Sequence, residues 1–402
     1  GIDANRLVND ALTADEKRRG LQRTLDEKLA LANSLAKEIG ELYKSGNPQQ
    51  ASHKKVESVN LKSETKTLQT QLAESESTLH KLLCSIPNVP NSLVPDGQSE
   101  DDNEEVFRAG EVPTLREKAL PHWELAAKYG LINFELGNKI TGAGFPVYTG
   151  KGAKLQRALI SFFLDQNTAA GYEEVQVPHL VNEQSGFGTG QLPDKEGQMY
   201  HVGEDNLYLI PTAEVPITNL FRDEILNAND LPITKTGYTP CFRREAGSYG
   251  SHVRGLNRLH QFDKVEIVRL EHPDKAYEAL DQMVEHVKGI LEQLELPYRI
   301  LRLCGGDLGF TSALTYDFEI YSTAQERWLE VSSVSNFESY QSTRLKLRFK
   351  DSDGNRKWVH TLNGSALALP RIMAGLLENH QSENGIRIPE VLVSYTGFDM
   401  IH

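Results

Sequence analysis

The chain has 402 residues, 39% of them hydrophobic and 25% charged, and its 43 Lys and Arg against 56 Asp and Glu give a net charge of −13. That length exceeds one ordinary core and implies two domains. No apolar run approaches the roughly 18 residues that cross a bilayer, and three scattered cysteines exclude a disulfide framework or a sequence-visible zinc site.

A secretory signal is not expected from the opening GIDANRLVND, so a cytoplasmic location is the default. From about Thr13 to Ile86 the pattern predicts two long helices. Leu21, Leu25, Ala32, Leu35, Ile39 and Leu42 fall on alternating four- and three-residue steps, with Lys28 as the polar entry. Leu61, Thr65, Leu68, Leu72, Ser75, Leu79, Leu82 and Ile86 continue the same steps. This is a heptad seam, and YKSGNPQQ between its halves supplies the turn, so the helices form an antiparallel coiled-coil hairpin with legs of about 45–55 Å. The hairpin holds seven cations and six anions over 13–45, then five and four over 48–86, so it is about +2 within an acidic chain. That sign is compatible with touching phosphate; a dimerisation coiled coil is the competing reading.

Three prolines and the acidic run QSEDDNEE, over Ile86–Glu105, read as a linker. The expected division is therefore 1–100 for hairpin and linker and 101–402 for the second domain. In the latter, YEEVQVP, NLYLIP, RLHQFDKVEIVRL, YRILRLC, TYDFEIY and RWLEVSSV alternate as antiparallel strands. Helical patterns lie at Ala153–Ala169, Pro273–Leu294 and Ala366–His380. Without a βαβ rhythm the domain is α+β, and the absence of GxxxxGK[ST] and GxGxxG argues against P-loop and Rossmann sites.

Two strands flank the Gly-rich stretch AGSYGSHVRG. Arg243 and Glu245 lie two apart before it; Arg258, Phe262 and Glu266 lie four apart after it. If the strands pair, one sheet face gathers two guanidiniums, two carboxylates and a ring, which a ligand bearing phosphates, a purine and a zwitterion would complete. A solvated strand pair with surface ion pairs is the plainer alternative. The twelve histidines show no metal spacing, and His260 reads as strand filler.

FRRE and RLHQFDKVE resemble motif 2 of class II aminoacyl-tRNA synthetases, in the seryl version. TAE at Thr212–Glu214 resembles the seryl TxE element, although by pattern alone it is also a helix cap. KLQRALISFFLDQNTAAGYEEVQVPHL resembles motif 1, WLEVSSVSNFESYQSTRL the stretch before motif 3, and TLNGSALALPRIMAGLLENHQ motif 3 itself, with only Gly364 ahead of its arginine. The chain is thus similar to bacterial-type seryl-tRNA synthetases over nearly its whole length. The resemblance implies a class II antiparallel sheet flanked by helices, preceded by a tRNA-binding arm, and a homodimer joined through motif 1.

It also implies serine activation by ATP and transfer to tRNA(Ser), and leaves open whether a selenocysteine tRNA, tRNA(Sec), is charged. Arg243 would bridge the serine carboxylate and the α-phosphate; Glu245 would meet the adenine amino group. Phe262 and Arg371 would cover the two purine faces, Arg258 would contact phosphate, and Glu330 and Ser333 would hold Mg²⁺. Thr212 and Glu266 would take the serine ammonium, and Glu266 and Ser365 its hydroxyl, with Asn363 nearby. Glu330 and Ser333 are three apart, so facing one metal requires a bulge. Gly197–Asn206 would form a mobile loop over the site. A carrier-protein-loading paralogue would not need the hairpin of about 70 residues, and replacement of Arg243, Glu245, Glu330 or Arg371 would favour a coiled-coil interaction protein with a degenerate synthetase body; this chain has the hairpin pattern and all four residues.

Overall fold

The computed structural model describes residues 3–114, 119–195, 197–245 and 253–402, so most of the Gly-rich stretch after Glu245 lies outside the described residues. The chain divides into two compact units, Gly1–Pro87 and Asn88–His402.

In the first unit, helix α1 (Ala4–Lys44) and helix α2 (Pro48–Cys84) form the hairpin. At about 1.5 Å per residue they run roughly 60 and 55 Å. Every position of the expected seam is buried or half-buried, with Leu25, Leu35, Leu61 and Leu72 fully so. Lys28 is tolerated there because its Nζ meets Glu64 on the facing helix at 2.7 Å. The turn follows its composition: Gly46 takes φ +79°, Asn47 N–H returns to Leu42 O at 3.0 Å, and Pro48 opens α2.

The expected linker is instead pinned to the second unit. Asn88 Nδ2 donates to Thr311 O and Phe337 O, both at 2.9 Å, and Gly305 N–H donates to Pro95 O at 3.0 Å. Its acidic end becomes strand β1 (Glu104–Ala109), where Glu104 pairs with Arg302, and Glu105 with Arg108 at 2.6 Å. Those cations neutralise the end of a run that reads as solvated when taken alone, and the segment from Asn88 on is grouped with the second unit.

The second unit is built on an eight-stranded sheet. Its remaining strands are β2 (Glu173–Glu174), β3 (Ile233–Phe242), β4 (Gln261–Glu271), β5 (Tyr298–Arg302), β6 (Leu314–Ser322), β7 (Arg327–Asn336) and β8 (His360–Ala368). Their order is β1-β5-β6-β7-β8-β4-β3-β2. All neighbours are antiparallel except β2 and β3. Strand β8 occupies residues whose last three read as helix in the sequence, so motif 3 begins as a strand and turns helical only at Leu369. Helices α3 (His122–Lys128), α4 (Gly150–Ala169), α6 (Ala276–Gln293) and α7 (Leu369–Asn379) accompany the sheet, and a short α5 (Glu214–Asn219) follows the TxE element.

Alternation along the strands separates core from site. Val265 and Ile267 of β4 enter the main core with Leu159 and Phe163 of α4, Met283 and Val287 of α6, and Met373 and Leu377 of α7. The residues that alternate with them, Lys264 and Glu266, take the other face.

Phe318 on β6 is fully buried in that core. Phe318→Ala is expected to destabilise the second unit by about 3–5 kcal/mol. Tryptophan fluorescence in urea reads this directly, because Trp123, Trp328 and Trp358 all belong to that unit.

Candidate active site

Strand β4 and its neighbours make the floor of a cleft. β3 and β4 pair continuously from Ile233–Leu270 to Phe242–Gln261, as the sequence reading requires, but Arg243 and Glu245 lie just beyond β3, and Arg258 just before β4. They reach one cleft because the chain leaves the sheet there, not through strand alternation. Arg243 is fixed at its backbone by reciprocal contacts with His260: its N–H donates to His260 O at 2.9 Å, and its carbonyl lies 3.1 Å from His260 Nδ1. His260 also stacks on Phe145 and meets Tyr200 Oη at 2.9 Å, so it positions an arginine rather than filling a strand. Glu245, at φ +47°, pairs with Arg258.

Arg243, Glu245, Arg258, Phe262, Glu330, Ser333, Ser365 and Arg371 all line this cleft. The Arg243 guanidinium lies 5.3 Å from the Phe262 ring centre. Arg371, from the first turn of α7, donates through Nε to Asn257 O at 3.0 Å and through Nη1 to Glu330 O at 2.7 Å. A wider hollow of about 990 Å³ adjoins it past Glu245 and Arg258, with Trp123, Phe134 and Phe145 in its walls. The charged constellation belongs to the smaller cleft, which is therefore the candidate site.

Glu266, 1% exposed, and Thr212, 4% exposed, do not line the cleft themselves; Glu266 connects to it through Lys264 and Ser365, which do. Thr212 Oγ1 donates to Glu266 Oε2 at 3.0 Å, and Ser365 is the cross-strand partner of Glu266 on β8. Lys264, which the sequence reading passed over, meets Glu266 at 2.6 Å. Its place two residues before Glu266 in the strand was the available signal. Burial nevertheless pushes the Glu266 carboxyl up from its ordinary range, against the opposing pull of Lys264. Glu214 hangs on the same network: its N–H donates to Thr212 Oγ1 at 3.3 Å, and its Oε1 accepts from Gln341 Nε2 at 2.7 Å. The Thr212–Glu214 element is thus both a local turn and part of the buried network around Glu266.

Glu330 and Ser333 come together through the bulge their spacing demands. On β7, Ser332 pairs with Phe318 and Glu330 with Glu319, so Val331 is the extra residue. Opposite Ser333 stands Asp317, a second residue the sequence reading missed; burial and the nearby Glu330 hold its carboxyl well above the usual range. Asp317 Oδ1 is buried without a hydrogen-bond partner among the described residues. An unsatisfied carboxylate oxygen beside Glu330 and Ser333 is an oxygen donor set that suits a hard cation. Among the described residues no three His, Cys, Asp or Glu form a metal cage, so such a cation would take its other ligands from substrate and water.

The segment expected as a mobile loop is a bonded hairpin. His201–Val202 pairs with Leu207–Leu209, Gln198 and Met199 N–H groups donate to the Asp194 carboxylate, and Arg244 N–H donates to Gln198 O at 2.8 Å.

Burial, and then the neighbouring Glu266, push the Glu214 carboxyl from 4.5 up to about 7. Between those values the folded state holds a proton that the unfolded chain has released, so stability falls as pH rises through that window. Glu214→Gln, which keeps an acceptor for Gln341, is expected to flatten this slope in urea titrations at pH 5, 6 and 7. Equal slopes in both proteins would contradict it.

The whole chain is similar to known proteins. Residues 3–90 match the seryl-tRNA synthetase N-terminal domain, and residues 199–380 match the tRNA synthetase class II core domain (G, H, P, S and T). The serine--tRNA ligase of Salinibacter ruber is 50% identical over 100% of this chain and 94% of its own length. That of Prosthecochloris aestuarii is 46% identical over 98% and 92%. Among solved structures, the seryl-tRNA synthetase of Pyrococcus horikoshii complexed with ATP superposes with a TM-score of 0.86, at 32% identity, over 98% of this chain and 93% of that one. The cytoplasmic serine-tRNA ligase of Naegleria fowleri in complex with AMP gives 0.81 at 25% identity, over 98% and 92%. With full-length identity of this order, and with the class II sheet and the helical hairpin both present, the chain belongs to the seryl-tRNA synthetase family.

Proposed function

We propose that this chain is a serine--tRNA ligase, which activates serine with ATP to seryl-adenylate and then esterifies tRNA(Ser). The observation that carries this is the buried Glu266, bonded to Thr212 and paired across the strands with Ser365, which itself lines a cleft with Arg243, Arg258 and Arg371. A serine oxygen attacks the α-phosphorus and pyrophosphate leaves, so the step needs placement and charge neutralisation rather than a protein nucleophile. Arg243 holds the serine carboxylate and the α-phosphate together through its planar fork of donors. Phe262 and Arg371 enclose the purine, with Arg371 also reaching the γ-phosphate. Arg258 contacts phosphate, and the Glu245 carboxylate accepts from the adenine amino group. Glu330 and Ser333, joined by Asp317, would hold Mg²⁺, which would neutralise the phosphates.

Thr212 and Glu266 receive the ammonium group; Glu266 and Ser365 receive the hydroxyl. The 3′-terminal ribose hydroxyl of tRNA then attacks the seryl carbonyl and AMP leaves. The N-terminal hairpin binds tRNA, a reading supported by its match to the N-terminal domain of this family. The active form is a homodimer joined through the motif 1 segment, a reading supported by Leu136 and Ile140, apolar and exposed at 42% and 73% on the helix that precedes that segment in the chain. The enzyme works in the cytoplasm; among the described residues no helix is long and apolar enough to cross a membrane.

Pyrophosphate exchange across amino acids tests the first step. Serine is expected to support it, alanine to fall short by a factor on the order of 10⁴ because buried partners go unpaired, and threonine by roughly 10–200-fold because only a methyl is refused. Exchange with no amino acid would overturn the reading. Deleting residues 14–85 is expected to spare exchange and to depress tRNA charging; unchanged charging would remove the hairpin from tRNA recognition.

A further inference from the structure

His122 and Glu378 are both fully buried and take no part in the chemistry above. Their bonding is nonetheless unusually complete. Glu378 Oε1 receives the His122 backbone N–H at 2.8 Å, the imidazole Nδ1 at 2.7 Å and Gln325 Nε2 at 2.9 Å, while Oε2 receives the Ser322 hydroxyl. On the far side of the ring, His122 Nε2 lies 2.8 Å from the Leu256 N–H. A backbone N–H can only donate, so Nε2 is the bare nitrogen, and the ring proton sits on Nδ1 and is given to Glu378.

We propose that this His122–Glu378 pair is a positioning device for the nucleotide end of the cleft, setting the limb Gly255–Arg258 and, through it, the Arg371 guanidinium. The limb passes the imidazole so closely that a Cβ on Gly255, which takes φ +69°, would come within 2.3 Å of His122 Nε2. Leu256 is then held by its N–H. The next residue, Asn257, is 4% exposed and donates through Nδ2 to Gln325 Oε1 at 2.9 Å, the same glutamine that grips Glu378. The Asn257 carbonyl is the acceptor for Arg371 Nε at 3.0 Å. Arg371 and Glu378 lie seven residues, about two turns, apart on α7, so they share one rigid helix face. The contacts therefore close on themselves, running from Glu378 through His122, the limb and Arg371 back into α7.

Burying a carboxylate and an imidazole among apolar helices is costly unless every partner is present, and an apolar pair of similar volume would fill the space. What an apolar pair lacks is direction. Here the direction fixes a carbonyl, and the next residue in the limb, Arg258, pairs with Glu245. None of these hydrogen bonds reaches Thr212, Lys264, Glu266 or Ser365 at the serine end.

The proposal rests on the reading that Arg371 faces ATP, and its test separates the two. Gln325 is only half-buried, so Gln325→Ala breaks the link without emptying the core. In serine-dependent pyrophosphate exchange this variant is expected to raise the KM for ATP about tenfold and to leave the KM for serine within about twofold. Glu378→Ala is expected to shift the KM for ATP further, and Glu378→Gln, which retains the acceptor for His122, to recover most of the loss. Calorimetric titration of ATP without serine should show the same order of affinities. The proposal fails if Gln325→Ala moves the two KM values together, or if neither ATP constant changes. A wild-type protein inactive with every amino acid would instead refute the serine reading, leaving the ATP titration to decide on the pair.

Discussion

Glu266 is a carboxylate kept at 1% exposure, and the arrangement of the cleft follows from making that burial tolerable. Its carboxyl has one cation at 2.6 Å and one hydroxyl at 3.0 Å, yet burial still pushes its proton affinity up. A site in that condition gains from an incoming ammonium group more than a solvated carboxylate would. The sheet enforces the placement. Val265 and Ile267 are locked in the main core, so Glu266 between them has no alternative face, and pairing with β8 sets Ser365 opposite Glu266. A one-residue slip in β4 would bury a lysine and a glutamate among the core leucines and phenylalanines.

The other end of the cleft is organised by helix and limb rather than by strand. Arg371 is carried by α7, whose far turn is anchored through Glu378, and Arg258 by the limb that His122 holds. On the proposed function, two kinds of support serve two halves of one substrate pair: strand register would specify the amino acid, and a helix clamped to a loop limb would orient the nucleotide. The bulge at Val331 joins them by turning Glu330 and Ser333 toward the same space.

The local patterns were the legible ones. The hairpin seam could be read position by position because a heptad repeat is complete within a few turns, and Lys28 is the exception that a facing Glu64 explains. The order of the motifs gave the family, and the spacing of Glu330 and Ser333 called for the bulge that β7 contains. What could not be read depends on partners distant in the chain. Glu104 reads as linker until Arg302 neutralises it, almost two hundred residues later. Asp317 and Lys264 look like ordinary strand charges until pairing sets one opposite Ser333 and the other beside a buried glutamate. His122 and Glu378 are 256 residues apart, and nothing in either neighbourhood announces the other. The end of β8 misled because Ala366–Ala368 suits a helix locally, whereas pairing with β4 holds Ala368 as strand.

The central claim is that Glu266 and its partners read the serine hydroxyl. The direct measurement is calorimetric affinity for two non-hydrolysable aminoacyl-adenylate analogues, seryl and alanyl, on the intact protein and on Glu266→Ala. The account predicts that the intact protein prefers the seryl analogue by orders of magnitude and that the variant loses the preference. A variant that still discriminates between them as the intact protein does would contradict it.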